Sequence, residues 1–286
     1  MIVVTGAAGF MASRFCKKLN THGIDDLILV DDFTPENKQN NWENLQYADK
    51  IQRDQFFRWA EQNVQHIDFI FHLGARTDYF STDKSIFEIL NLDYSQRVWS
   101  FATYKRIPLI YATSYFTNKI DHLSEYTKSK YTFDKWVEKQ QQAPPFWAGL
   151  KFFQVYGNQE THKAENSSLL YKIYKNCTEN KTFFIAEKNI LQDYICVDDV
   201  SKVLYYFLNH TPQSGIYEVG TGFARPLQTV VDLFNKFVRS EQKQVLVYQK
   251  EEPFIYQADL SKLRKYAYKQ AFLTLEQGVK NFFRFL

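Results

Sequence analysis

The first twenty residues, MIVVTGAAGFMASRFCKKLN, constrain this chain more than any other stretch. Four apolar or β-branched residues (2–5) run straight into Gly6-Ala7-Ala8-Gly9, and an apolar-periodic segment starts at once. That pattern is a buried strand, a tight bend and a helix. Gly6 permits the turn, and Gly9 lets backbone approach a pyrophosphate with no Cβ in the way. Ala12 stands third in the spacing, where the helix packs closely. The helix that follows offers unpaired N–H groups and the positive end of its dipole to an anion. Ordinary strand–helix turns can carry the same glycines. The context sets this one apart, because the second apolar strand ends at Asp31, at the distance expected of a carboxylate that grips an adenosine ribose.

The rest of the chain repeats the rhythm. Apolar runs at 26–33, 67–75, 107–114 and 147–157 alternate with helical patterns at 11–19, 53–62, 86–104 and 129–140. Strands without polar alternation, separated by helices, predict an α/β doubly wound parallel sheet covered on both faces, with its ligand at the carboxyl ends of the strands. After Gly157 the elements become shorter and mixed. The reading is a dinucleotide-binding domain over 1–160, completed by about 194–222. A smaller mixed substrate lobe takes 161–193 and 223–286.

At the tip of the fourth apolar run stands YATSYFT, ending on Ser114, and soon after comes SEYTKSKYTFDKW with Tyr126 and Lys130 four apart. On a helix these two share a face. A free tyrosine titrates at about pH 10. A neighbouring ammonium and an oxidised nicotinamide favour the phenolate, which can accept a proton from an alcohol while hydride leaves. Ser114, on the same rim, can hydrogen-bond the reacting oxygen. Asp31 and Asp32 together repel a 2′-phosphate and Lys38 offsets them, so the cofactor is NAD or NADP, with the charges leaning to NAD.

Composition excludes several classes. The net charge of +3 is small and no basic block forms a nucleic-acid arm. No segment reaches the roughly 20 apolar residues needed to span a bilayer, and the start lacks a signal-peptide pattern. Three widely spaced cysteines, Cys16, Cys177 and Cys196, fit neither a disulfide framework nor a zinc site, so no metal and a cytoplasmic setting are expected.

Taken together, VTGAAGFMAS, LVDDF, IFHLGA, NLDYS, YATS, YTKSK, KFFQVYG, DYICVDDV and YEVGTG resemble the extended short-chain dehydrogenase/reductase (NAD-dependent epimerase/dehydratase) family over essentially the whole chain. LNTHGIDDLILVDDF, QVYGNQETHKAENSS and YQADLSKLR are similar to its ADP-heptose 6-epimerase branch. The resemblance implies a Rossmann-type fold. It places Gly6, Gly9, Phe10, Met11, Asp31, Asp32, Lys38, Leu73, Ala75, Asn91, Tyr126 and Lys130 against the cofactor. It implies catalysis by Ser114, Tyr126 and Lys130, with Lys163 as acid/base on the opposite side of the sugar, and substrate contacts from Arg76, Ser114, Gln154, Lys163 and Gln192. The activity implied is epimerisation of a nucleotide-activated sugar by transient oxidation and re-reduction, in a homo-oligomer without nucleic-acid or membrane partners.

The departures fall on the substrate side. Asn118-Lys119 stands where the family has Tyr-Gly, Gln192 where it has arginine, and FFIAE (183–187) where it has an FEG-like stretch. Lys151 and Gln154 alter its FRxFNVYG pattern. A nucleotide-sugar dehydratase or reductase stays open, although Tyr115-Phe116 replaces the acidic pair a 4,6-dehydratase uses. A non-catalytic dinucleotide-binding scaffold stays open too. His72 reads as a packed ring, Asp198 and Asp199 as helix caps, and the aromatic run at 205–207 as core.

Overall fold

The computed structural model describes residues 1–118, 124–179, 184–187, 190–237, 245–248, 254–266 and 268–283, with 118, 184–187 and 245–248 as backbone alone. The chain divides into two compact units, residues 1–151 with 201–217, and residues 152–200 with 218–286.

In the first unit, β1 (Ile2–Thr5) leads into α1 (Phe10–Asn20), then β2 (Leu27–Asp31), β3 (Asp49–Gln52), α2 (Phe56–Asn63) and β4 (Phe69–His72). Next come α3 (Lys84–Phe87), α4 (Tyr94–Tyr104), β5 (Leu109–Ser114), α5 (Glu125–Val137) and β6 (Trp147–Phe152). Every residue of β2, β4 and β5 is buried, the burial expected of strands covered on two faces. β3 escapes the sequence reading because its pattern exposes all but Ile51, as an edge strand does.

Seven strands form the sheet. A strand at Gly215–Val219 pairs with β6, and the order runs on through β5, β4, β1, β2 and β3. The described registers β1–β2, β1–β4, β2–β3 and β4–β5 are all parallel. The chain winds outward from β1 to β3 and returns to β4 on the other side, so the direction reverses between β1 and β4. Ligands of doubly wound sheets bind at the carboxyl ends of strands at such a point.

One side of this sheet carries much of the chain's aromatic content. Trp99 meets Tyr111, Trp136 and Trp147 edge-on at 6.4, 6.3 and 5.2 Å, and Phe133 meets Tyr111 edge-on at 5.1 Å. Edge-to-face pairs of this kind add to what area burial alone contributes.

The helix expected over 86–104 is broken. A wide π-type turn at Glu88–Asp93 separates α3 from α4 and carries the buried Asn91. Such bulges turn a side chain away from the regular helical face.

The second unit contains β7 (Gln154–Tyr156), α6 (Leu169–Thr178), β8 (Phe184–Glu187) and β9 (Ile190–Cys196). α7 (Val197–Asn209) and β10 (Gly215–Val219, the seventh sheet strand) cross between the two units. β11 (Ala224–Pro226), α8 (Leu227–Phe237), β12 (Val245–Tyr248), β13 (Phe254–Tyr256), α9 (Ser261–Lys265) and α10 (Leu275–Phe282) complete the second unit. β9 is the hub of a small mixed sheet, antiparallel to β11 and parallel to β13 and β7.

Asp193, fully buried, accepts hydrogen bonds from Thr221 N–H and Oγ1, Gly222 N–H and Ala258 N–H. The DYICV and VGTG motifs therefore meet through one carboxylate and serve the architecture of this unit. Asp198 and Asp199 lie inside the first turn of α7, not ahead of it. Asp199 is no simple cap, because its Oδ2 accepts the main-chain N–H of Leu273 at 2.6 Å. Among the described residues no helix is long and apolar enough to cross a membrane.

Candidate active site

The opening glycines meet the end of β4 backbone to backbone. Gly6 adopts φ +72°, and a Cβ there would sit 2.5 Å from the Cα of Gly74. Gly9 is the residue before α1. Among the described residues no side chain caps that helix end, and its first turn holds no acidic residue. The loop is clamped from the end of the second strand, where Ala8 N–H donates to Asp31 Oδ2 at 2.9 Å, and from the short helical turn Glu36–Asn41, where Asn41 Nδ2 donates to Ala8 O at 2.9 Å. These features fit a dinucleotide. The glycines leave room for its pyrophosphate, the bare helix terminus attracts it, and Asp31 stands beside them for the ribose.

Asp31 also pairs with Lys38 Nζ at 3.1 Å, so Lys38 is engaged in neutralising that carboxylate. Asp32 is held below the usual carboxylate range, chiefly by the Thr34 hydroxyl. Phe10 and Leu73 are buried beside this loop, and Met11 and Ala75 are half-buried.

Helix α5 starts at a Ser124 cap whose hydroxyl accepts Thr127 N–H, which puts Tyr126 in the first turn. Tyr126, Lys130 and Asp134 follow at intervals of four and form one buried column. Lys130 Nζ donates to Ala112 O at 3.0 Å, and Asp134 Oδ2 accepts Thr113 Oγ1–H at 2.7 Å. The column is thereby docked on β5, with Ser114, buried at 7 % exposure, at that strand's end.

Burial lowers Lys130 to about 8, while the Asp134 carboxylate acts in the opposite direction. Burial also pushes the Tyr126 phenol well above its ordinary value, with smaller contributions from Tyr79 and Asp134. In the protein alone the phenol is therefore held in its neutral form, because an anion in an apolar surround is costly; the expectation of a phenolate counted on the oxidised nicotinamide as well as on Lys130. The Tyr79 ring stands edge-on to Tyr126 at 5.0 Å and supplies part of that surround.

Asn91, expected against the cofactor, is engaged with main chain and with α5. Its Oδ1 accepts Arg76 N–H at 2.7 Å, and its Nδ2 donates to Arg76 O and Ser129 Oγ, each at 3.0 Å. It fastens the loop after β4 to α5. Arg76 pairs with Asp78 at 3.1 Å on the exposed rim. His72 bonds Thr5 Oγ1 at 2.7 Å and Ser95 Oγ at 2.8 Å, and burial, helped by the Lys130 charge, lowers it to about 3. It is a neutral, satisfied ring.

In the second unit Lys163 lies in a short helical turn (Thr161–Asn166), its Nζ 3.0 Å from the Glu160 carboxylate. Gln154 opens β7 and is half-buried, in register with Tyr194. Gln192, half-buried on β9, lies between Arg225 of β11 and Tyr256 of β13 in the ladder. Lys119 and Phe183 lie outside the described residues, as do the side chains of 184–187. Among the described residues no group of three or more His, Cys, Asp or Glu is arranged to hold a metal ion.

Sequence reasoning missed Asp134, Thr113, Ser129 and Glu160. The first was readable, four residues beyond Lys130 on the same helical face. Thr113 and Ser129 acquire their partners only through tertiary packing.

Residues 2–220 match the model of the NAD dependent epimerase/dehydratase family. An ADP-L-glycero-D-manno-heptose-6-epimerase of Fusobacterium nucleatum is 33% identical, covering 99% of this chain and 96% of its own length. One from Brachyspira hyodysenteriae is 30% identical with the same coverage. The crystal structure of the Helicobacter pylori enzyme of that name superposes with a TM-score of 0.81 at 21% identity, over 99% of this chain and 94% of that one, a likeness of fold. On the glycine loop, the docked Tyr–Lys column and these matches, the chain belongs to the NAD dependent epimerase/dehydratase family.

Proposed function

We propose that the chain epimerises a nucleotide-activated sugar of the ADP-glycero-manno-heptose class, by oxidising one carbinol carbon to a carbonyl and reducing it from the other face. The observation that carries this reading is the buried Tyr126–Lys130–Asp134 column docked on the end of β5. The names of the two curated relatives support the substrate class.

When bound, the nicotinamide dinucleotide takes up and returns the hydride and, while oxidised, adds a positive charge. Tyr126 exchanges the proton of the sugar hydroxyl. Lys130, fixed by the Ala112 carbonyl, holds a positive charge behind it. Ser114 donates a hydrogen bond to the reacting oxygen. Lys163 serves as acid/base for the other epimer. Gly6, Gly9 and Asp31 hold the dinucleotide, and Arg76, Gln154 and Gln192 contact the substrate.

A dehydratase is the weaker reading. Tyr115 and Phe116 follow Ser114 as a pair of packed rings 4.1 Å apart, where that chemistry uses carboxylates. A cytoplasmic homo-oligomer is the setting this reading carries over from the family. Light scattering of the purified protein tests the oligomer. The function itself is tested by incubating the protein with ADP-L-glycero-D-manno-heptose and following the 6-epimer by proton NMR. Interconversion without net cofactor consumption supports the proposal, and a dehydrated product or no reaction refutes it.

A further inference from the structure

The second unit buries a carboxylate completely. Glu160 is 0 % exposed, and its two oxygens gather four donors. Oε1 accepts Ser168 Oγ–H at 2.6 Å and Gly157 N–H at 3.3 Å. Oε2 accepts Ser168 N–H at 2.6 Å and the Lys163 ammonium at 3.0 Å. The main chain repeats the link, because Lys163 N–H donates to Glu160 O at 2.9 Å. Ser168 is itself the cap of α6, its hydroxyl accepting Tyr171 N–H. Glu160 thus joins the strand end at Gly157, the turn bearing Lys163 and the start of a helix.

An exposed lysine–glutamate pair three residues apart contributes little and seldom fixes a geometry. This pair differs in two ways. One partner lies wholly out of water, where an unpaired carboxylate is costly, so its donors are held firmly. The residue after Lys163 is also strained: Ala164 adopts φ 45° and ψ −120°, a conformation open to glycine and rare for alanine. The far side of this turn is fastened as well, since Ser167 N–H and Oγ–H both donate to Ala164 O, at 3.1 and 2.8 Å. A strained turn with anchors on both sides persists because its surroundings over-determine it.

We infer that Glu160 is a positioning residue for Lys163: the buried carboxylate holds that side chain in place for the proton transfer assigned to it, in which the amine accepts the hydroxyl proton on oxidation and the ammonium returns it on reduction. The inference rests on the proposed role of Lys163 and deepens it. Because Glu160 acts through another side chain, its loss touches only the step Lys163 serves.

The test uses the full chain with cofactor, Glu160→Gln and Lys163→Met singly and combined, and each ADP-glycero-manno-heptose 6-epimer in turn. Single-turnover absorbance of the reduced nicotinamide reports oxidation of each. Glu160→Gln is expected to slow, on the order of 10²-fold, the same single epimer that Lys163→Met slows, with kcat reduced more than KM raised. Glu160→Asp recovers part of the rate, and the double variant is no slower than Lys163→Met alone.

A merely structural role would slow both epimers alike, and that result overturns the inference. It also fails if Glu160→Gln slows neither epimer while Lys163→Met slows one, which leaves the reading of Lys163 standing. If Lys163→Met slows neither, the reading of Lys163 falls and takes the inference with it. Should Glu160→Gln fail to fold, Ser168→Ala, which removes one of the four donors, carries the same one-epimer expectation with a smaller loss.

Discussion

Two lysines carry the proposed chemistry, and they are held in opposite ways. Lys130 stands on a regular helix, one turn from Tyr126, and is fastened to a strand carbonyl. Lys163 stands on a short strained turn, fastened to a buried carboxylate. A helix sets the spacing of its side chains through its own hydrogen bonds, so the first site needs little beyond docking. A turn has no such repeat, so the second needs a dedicated anchor. Where the backbone is periodic, a functional geometry is written in residue spacing; where it is not, the geometry depends on buried partners.

The largest effect should come from the helical site. Tyr126→Phe removes the exchanging proton and is expected to lower turnover by about 10²–10⁴-fold. Cofactor retention, read from nicotinamide released on denaturation, should stay near normal. Loss of cofactor together with activity would mean that the ring holds the fold and not the proton.

Next in size is the glycine bend. Gly6→Ala brings a Cβ to 2.5 Å from Gly74 Cα at a positive φ. It should cost at least the roughly 1–3 kcal/mol of a strained backbone residue and weaken dinucleotide binding, both measurable by thermal unfolding with and without NAD. Gly278→Ala offers a contrast in the second unit. In an exposed helix this change stabilises by up to about 1 kcal/mol. Here the new Cβ runs into the Tyr156 hydroxyl, so a lower Tm is expected.

The pH profile sharpens the comparison further. Lys130 is lowered to about 8 by burial, against the Asp134 carboxylate on its own helix, and the neighbouring His72 is neutral. If the protonated ammonium is the active form, rate falls as pH rises through about 8. Asp134→Asn removes the charge that raises Lys130, so the alkaline limb should move to lower pH. An unmoved limb would separate Asp134 from the column's electrostatics.

The smallest effect belongs to the strained turn. Ala164→Gly relieves the positive φ and should stabilise by up to about 1 kcal/mol, a rise of a few degrees in Tm.

The same contrast explains what the sequence made legible. The doubly wound parallel sheet and the Tyr126–Lys130 pair of α5 follow from apolar runs, glycines and a four-residue interval, all local signals; the same interval reaches Asp134, which was overlooked. β3 was hidden because an edge strand needs only one buried residue, Ile51. The π-type turn was hidden because apolar periodicity runs on through it. Asn91 carries a motif whose side chain turns out to bind main chain at Arg76. Glu160 gave no periodic signal, since its four donors come from Gly157, Lys163 and Ser168 and converge only when the turn closes.

The central claim is that two separate side chains, Tyr126 and Lys163, handle the proton of opposite epimers. Mixing Tyr126→Phe and Lys163→Met, each loaded with NAD, with either ADP-glycero-manno-heptose 6-epimer and recording reduced nicotinamide in one turnover tests it most directly. The account predicts that each variant fails with one epimer and that the two variants fail with different ones. Failure of both variants with the same epimer, or full rates in both, would contradict it.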